Sequence, residues 1–209
     1  MINKELKKRI LSSTILIPVS FFFIFEGSIT FIFFLSIIFL AMGFEWFKMT
    51  KKKELIRILG LFFLFFSFYS AIYLRQYIGL NFFLFLIIVC IFTDIGGYLF
   101  GKILKGPKLT KISPNKTYSG MLGSFLLSII SGYLFISNFD SSFIKNQNSD
   151  LYNLLLIIII LIISTVSQIG DLIISYCKRK SKIKNTGNIF PGHGGLLDRI
   201  DGMIFAFPF

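Results

Sequence analysis

Long apolar runs, separated by short polar segments, form the dominant pattern along this chain. The runs predict six helical spans, at about residues 10–25, 28–47, 58–74, 81–100, 118–137 and 151–177. Each is close to the roughly 20 residues that cross the apolar core of a bilayer, although the first is short. The last run, 203–209, is too short to cross and is expected to begin a seventh helix or to return as a short insertion. The pattern therefore predicts an all-α polytopic integral membrane protein of six or seven transmembrane helices, with one membrane domain over residues 1–209.

The composition agrees with a lipid environment. Of the 209 residues, 55% are hydrophobic and only 15% are charged, whereas a soluble domain carries about a quarter charged residues. The net charge is +12, which in a soluble protein would suggest a nucleic-acid partner. In a membrane protein, basic loops set the topology and contact anionic lipid headgroups. We therefore expect membrane lipids as partners and no nucleic acid.

The basic residues also predict an orientation. All but two of the 22 Lys and Arg residues precede the first predicted span or follow the second, fourth and sixth spans. The opposite side keeps only Arg75 and Lys145. By the positive-inside rule, the N-terminus and both basic polar loops are expected in the cytoplasm, and the chain in the cytoplasmic (inner) membrane. A cytosolic nucleotide could reach a site there.

Residues 164–202 combine several chemical features in one stretch. The sixth span carries a polar stripe at spacings of three and four residues, which puts its members on one helix face: Ser164, Gln168, Asp171, Ser175 and Lys178. Five cations follow within residues 178–184, then a Gly/Pro-rich turn around the only histidine, and then the sequence 198–201, Asp-Arg-Ile-Asp. Carboxylates bind Mg²⁺ through oxygen, Lys and Arg neutralise phosphate, and glycines let backbone N–H groups approach it. The stretch predicts a site for metal-bound polyphosphate.

A second group of polar residues lies upstream. Asp94 sits near the cytoplasmic end of the fourth predicted span, where a carboxylate is costly unless it faces a partner or water. It is a functional candidate, or it pairs with a lysine to fix packing. The following loop combines hydroxyls, cations and a proline turn at a helix start, a position that favours anions. Its candidate ligands are Ser113, Lys116 and Thr117.

The stretch 175–201 closely resembles the signature of the phosphatidate cytidylyltransferases, the CDP-diacylglycerol synthases. The matching anchors are Ser175, Lys178-Arg179, Lys184, Gly187, Phe190-Pro191, His193-Gly194-Gly195 and Asp198-Arg199-Ile200-Asp201. Asn185 stands where the family usually has Asp. Asp94 and the segment 113–117 match upstream, so the catalytic part is expected at about 81–209. Residues 1–80 match only in general character, with Glu45-Trp46 as a weak echo that also fits an interfacial Trp beside a snorkelling Glu.

The resemblance implies an activity and a set of roles. CTP and phosphatidic acid would give CDP-diacylglycerol and pyrophosphate, at a polar site facing the cytoplasm between the fourth, fifth and sixth helices. The cofactor would be Mg²⁺, to which a second cation could be added. The resemblance also implies a homodimer. The expected metal ligands are Asp171, Asp198 and Asp201. Phosphates would meet Lys178, Arg179, Lys184 and Arg199. His193 would hydrogen-bond phosphate or fix the loop. The expected substrate-binding residues are Asp94, Ser113, Lys116, Thr117, Ser175, Gly194 and Gly195.

Alternatives remain at this point. A CTP-dependent polyprenol or phytol kinase has a similar nucleotide pattern, but there an alcohol attacks the γ-phosphorus. An inactive homologue would fit Asn185 and a chain that stops where family members usually continue. A transporter is disfavoured because the polar groups cluster at one face. Structural roles also exist: an ion pair between Asp171 and Lys178, solvated charges at 198 and 201, and cations that only set topology.

Overall fold

The helical prediction is confirmed by a computed structural model that describes residues 4–51, 53–110, 112–139, 150–187 and 194–209, with the backbone alone for 4–13 and Asp150. Within these ranges the chain forms eight α-helices, one π-helical turn at Leu74–Ile78, and an isolated antiparallel bridge between Lys108 and Thr117. The helices are α1 (Lys4–Glu26), α2 (Ser28–Met49), α3 (Glu54–Tyr73), α4 (Leu80–Leu104), α5 (Tyr118–Phe139), α6 (Asp150–Lys180), α7 (Leu197–Ile200) and α8 (Met203–Ala206).

Five of the described helices are long and apolar enough to cross a bilayer, judged by length and composition: α2, α3 with its π-helical turn, α4, α5 and α6. The apolar part of α1 that is described with side chains, Thr14–Glu26, is shorter. Because lipid offers no hydrogen-bond partners, a helix that satisfies its own backbone is the natural form for these runs. The last apolar run forms only the single turn α8.

The chain divides into two compact units, of which the first comprises residues 1–80, 177–201 and Pro208. In this unit α2 packs against α1, α3 and α7. The turn between α1 and α2 is held by Arg75, which donates hydrogen bonds to the carbonyls of Ile24 (2.7 Å) and Phe25 (3.0 Å). Gly27 adopts a left-handed backbone there (φ 66°), which a larger residue would adopt less readily.

Close packing of α2 on α3 fixes the end of α2 that carries Glu45. The Trp46 indole lies over Gly60, where a Cβ atom would collide with the ring. Its Nε1 donates to the carbonyl of Arg57 at 3.1 Å, and the side chain is buried. Trp46 is therefore a helix-packing residue, and its position at the membrane interface stays a prediction.

The second unit comprises residues 81–176, 202–207 and Phe209, so it contains α4, α5, most of α6, and α8. Small residues bring its helices close together: a Cβ atom on Gly96 of α4 would collide with the backbone of Gly123 on α5. Thr93 then donates to Ser164 of α6 (2.9 Å), and Ser124 donates to the Thr93 carbonyl (2.7 Å). These contacts order the helices that carry Asp94 and Asp171.

Candidate functional site

Asp198 contacts the polar groups of residues 178–187 and 194–201 in the first unit, the described part of the signature, which we call the signature loop. Its Oδ1 accepts a hydrogen bond from Lys178 Nζ at 2.8 Å. Its Oδ2 accepts from Thr186 N (2.8 Å), Thr186 Oγ1 (3.0 Å) and Gly195 N (3.2 Å). Partial burial alone would raise the pKa of Asp198, but the hydrogen bonds from Lys178, Thr186 and Gly195, with the Lys178 charge, lower it overall. Asp198 is therefore a stable carboxylate that joins three parts of the loop.

Glu45 is a second carboxylate beside the same loop, and unlike Asp198 it is fully buried. Its side chain is 2% exposed. Oε1 accepts from Leu196 N (3.0 Å), while Oε2 accepts from Leu197 N (2.9 Å) and shares the single hydroxyl proton of Thr186 (3.0 Å) with Asp198 Oδ2. The expectation of a snorkelling glutamate is wrong, since Glu45 ties α2 to the residues that begin α7.

Glycines of the loop lie where Glu45 leaves no space for a side chain. A Cβ atom on Gly187 would collide with Glu45 Oε1, and one on Gly195 would collide with Thr186 Oγ1. Gly194 has a left-handed backbone (φ 88°) and sits next to Asp198. The glycines of the signature therefore let the loop backbone pack against both carboxylates.

Sequence reasoning did not select Glu45 as a site residue. Its partners lie 141 to 152 positions away, and two of the three are backbone N–H groups that no residue-type pattern reveals. The only available signal was the weak Glu-Trp echo.

In the second unit, Lys116 and Asp171 form an ion pair. Lys116 Nζ lies 2.5 Å from Asp171 Oδ2, and the two side chains are 25% and 29% exposed. Ser175 donates to Asp171 Oδ1 at 3.4 Å. Asp94 lies on α4 in the same unit and is exposed. The second unit thus brings together three residues that the sequence selected, Lys116, Asp171 and Ser175.

Two further predicted residues of this unit shape the loop before α5. Thr117 Oγ1 accepts from Gly120 N at 3.0 Å, which satisfies a free N–H group of the first helical turn. Ser113 accepts from Lys116 N at 3.0 Å through its carbonyl, closing a turn. Both residues therefore position Lys116, and their contact with substrate stays a prediction.

The remaining predicted residues of the first unit differ in exposure. Arg179, Lys184 and Arg199 are exposed, and Asp201 is buried. His193 lies outside the described residues. The ion pair weighed between Asp171 and Lys178 is not the one observed, because Lys116 pairs with Asp171 and Lys178 with Asp198.

The predicted metal ligands can be tested for chemical fit. Within the described ranges, no group of three or more His, Cys, Asp and Glu side chains is close enough to hold a metal ion. Asp171 and Asp198 each hold an ammonium group instead, at 2.5 and 2.8 Å. Both carboxylates thus bind a cation already, and their hard oxygens suit Mg²⁺. Ligation by Asp171, Asp198 and Asp201 stays a prediction.

Comparison with known proteins agrees with the signature. The model of the cytidylyltransferase family matches residues 55–209. The phosphatidate cytidylyltransferase of Rickettsia bellii is 36% identical over 213 residues, which cover 99% of this chain and 89% of that protein. The enzymes so named from Staphylococcus haemolyticus and Bacillus subtilis are 40% and 37% identical over 131 and 139 residues. Those matches cover 62% and 65% of this chain but only 47% and 48% of the relatives, so the chain spans about half of their length.

Proposed function

We propose that this chain, which belongs to the cytidylyltransferase family, transfers CMP from CTP to phosphatidic acid and so forms CDP-diacylglycerol and pyrophosphate. The observation that carries the proposal is the signature loop, in which Asp198 gathers Lys178, Thr186 and Gly195. The lysine ammonium group, the hydroxyl group and the backbone N–H groups of this loop are the kinds of group that bind phosphate.

The reaction is an in-line phosphoryl substitution. An oxygen of the phosphatidic acid phosphate forms a bond to the α-phosphorus of CTP, and the bond from that phosphorus to the β-phosphate oxygen breaks. Pyrophosphate leaves with the electron pair. Both reactants are anions, so the catalyst must mainly position them and neutralise charge.

The protein's own cations would supply that neutralisation. In the first unit, Lys178, Arg179, Lys184 and Arg199 would bind phosphate oxygens. In the second unit, Lys116 would do so, held by Ser113 and Thr117. Lys178 is paired with Asp198 and Lys116 with Asp171, and these pairs would orient the two ammonium groups toward a bound phosphate.

We also propose that Asp198 and Asp201 in the first unit, and Asp171 in the second, each act as a Mg²⁺ ligand, on the basis of the signature and of the hard oxygen donors that they offer. Bound there, the metal would withdraw charge from the phosphate oxygens. The cytoplasmic orientation, the inner-membrane location, the second cation and the homodimer stay proposals as well.

The test is conversion of CTP labelled at the α-phosphorus, with phosphatidic acid, in detergent micelles containing Mg²⁺. Wild type should form labelled CDP-diacylglycerol, and Asp198→Asn should lose most of this activity. Glu54→Gln is the control, because Glu54 is 84% exposed and its ion pair within the described part of the chain is with the adjacent helical residue Arg57. Melting curves of each variant separate loss of chemistry from loss of fold.

The products distinguish the alternatives. Release of labelled CDP with phosphorylation of an added polyprenol would identify a lipid kinase. A folded wild type without either product would be an inactive homologue, and recovery of activity in Asn185→Asp would trace that inactivity to this position.

A further inference from the structure

A cavity of about 610 Å³ lies in the first unit, among residues that the predicted site does not include. Five lysines line it: Lys48, Lys51, Lys53, Lys180 and Lys182. The other described lining residues are Met49, Ser181, Ile183, Asn185, Thr186 and Gly187, so no carboxylate lines it within the described chain. Its volume is typical of small-molecule sites, which measure about 300–1,000 Å³. We call it the lysine cavity.

The lysine cavity is built from ordered parts of the chain. Lys53 Nζ donates a hydrogen bond to the Lys180 carbonyl at 2.6 Å, which joins the loop after α2 to the end of α6. Thr186 forms another part of the cavity wall, and its hydroxyl group lies within hydrogen-bond distance of both Glu45 and Asp198. The cavity therefore opens beside the signature loop and shares Thr186 with it.

Lys182 has a backbone conformation that residues with a Cβ atom rarely adopt. Its φ is 55°, in the left-handed region that disfavours residues with a Cβ atom. Ile183 N donates to the Lys178 carbonyl (3.0 Å) and Lys182 N to the Arg179 carbonyl (2.9 Å), the hydrogen bonds of a Schellman turn. Glycine suits the position of Lys182 in that turn best. Lys182 therefore lines the cavity from a turn position that glycine would occupy with less strain, which makes it a suitable position for a test.

We propose that the lysine cavity binds the β- and γ-phosphates of the nucleotide, which leave as pyrophosphate. This inference rests on the proposed function. Five lysines, with no carboxylate among the described lining residues, match a leaving group that carries up to about four negative charges better than a phosphate monoester with about two. As the bond to the α-phosphorus breaks, the negative charge that develops on the leaving oxygen is stabilised by the lysines.

Lys182→Gly tests the proposal, because this change removes the charge while relieving the backbone. We expect the melting temperature to stay the same or rise. We expect the KM for CTP and the inhibition constant for pyrophosphate each to rise about two- to tenfold, as for loss of one hydrogen bond. The KM for phosphatidic acid should not change.

Lys105→Gly is the matched control. Lys105 is also a lysine with a left-handed backbone (φ 46°), it directly follows α4, and it does not line the cavity. It should gain as much stability as Lys182→Gly without any change in the KM for CTP.

Other outcomes overturn the proposal. A rise in the KM for phosphatidic acid alone would assign the cavity to the lipid headgroup. An active wild type whose constants for CTP and pyrophosphate are unchanged in Lys182→Gly would leave the proposed function intact and refute the cavity's role. If wild type forms no CDP-diacylglycerol, equilibrium dialysis with labelled pyrophosphate decides: binding weakened by Lys182→Gly supports the cavity, and absence of binding refutes it.

Discussion

Glu45 lies on α2, outside the signature loop, and its replacement by glutamine should destabilise that loop. The side chain keeps its shape but loses its charge. A glutamine has one acceptor oxygen, whereas the two oxygens of Glu45 accept from Leu196, Leu197 and Thr186. With the amide oxygen in the place of Oε2, the amide NH₂ faces the N–H of Leu196. At least one buried donor then loses its partner, and the other two bonds lose their charge assistance.

The magnitude follows from these contacts. A hydrogen bond to a charged group contributes about 1.5–3 kcal/mol, and a buried donor without a partner costs about 1–3 kcal/mol. We therefore expect the ordered loop to be destabilised by about 2–3 kcal/mol. If the reaction needs this loop conformation, the loss in kcat/KM is up to about 30- to 150-fold, and it is largest where the loop's own stability is smaller than this destabilisation.

The assay is steady-state turnover of CTP and phosphatidic acid in micelles, together with thermal melting of the same preparations. Glu54→Gln makes the same chemical change at a carboxylate that is 84% exposed, and it should leave both measurements near wild type. The reasoning is refuted if Glu45→Gln melts like wild type and its kcat/KM lies within twofold of wild type.

Three further changes probe other contacts. Because folding lowers the pKa of Asp198, its carboxylate stabilises the fold above the ordinary value of 3.8, and this contribution is lost as the pH falls through the lower folded value. The melting advantage of wild type over Asp198→Asn should thus be full at neutral pH and shrink below about pH 4. Gly96→Ala should lower the melting temperature, at a cost of about 1–3 kcal/mol, because its Cβ atom would collide with Gly123. In a double-mutant cycle, the double variant Lys116→Gln/Asp171→Asn should lose clearly less free energy of unfolding than the two single variants lose together. Additive losses of stability would contradict the ion pair.

The helices could be predicted from the sequence because lipid constrains the backbone so strongly. A run of about 20 apolar residues has few alternatives to a helix in a bilayer, and the predicted spans correspond to α1 through α6. The spacing along α6 also placed Asp171 and Ser175 on one face, and the 3.4 Å hydrogen bond between them confirms it.

Partners across the fold could not be predicted in the same way. Periodicity shows which residues of one helix share a face, but it does not show which residue of another segment they meet. The sequence therefore offered Asp171 as a partner for Lys178, whereas Lys178 pairs with Asp198. Glu45 was missed for the same reason, since its donors belong to a distant loop.

The link from Glu45 to the signature loop also sets an order of assembly. Glu45 and Leu197 are 152 positions apart, so this contact closes one of the longest loops that the chain can form. Such high contact order is associated with slow folding, because the chain loses the entropy of loop closure before the stabilising contact forms. During synthesis, α2 leaves the ribosome well before α7 is made. The Glu45 carboxylate therefore has no hydrogen bond from Leu196 and Leu197 until synthesis is nearly finished. The signature loop should therefore be among the last parts of the protein to become protected from proteolysis or hydrogen exchange, long after the membrane helices have formed.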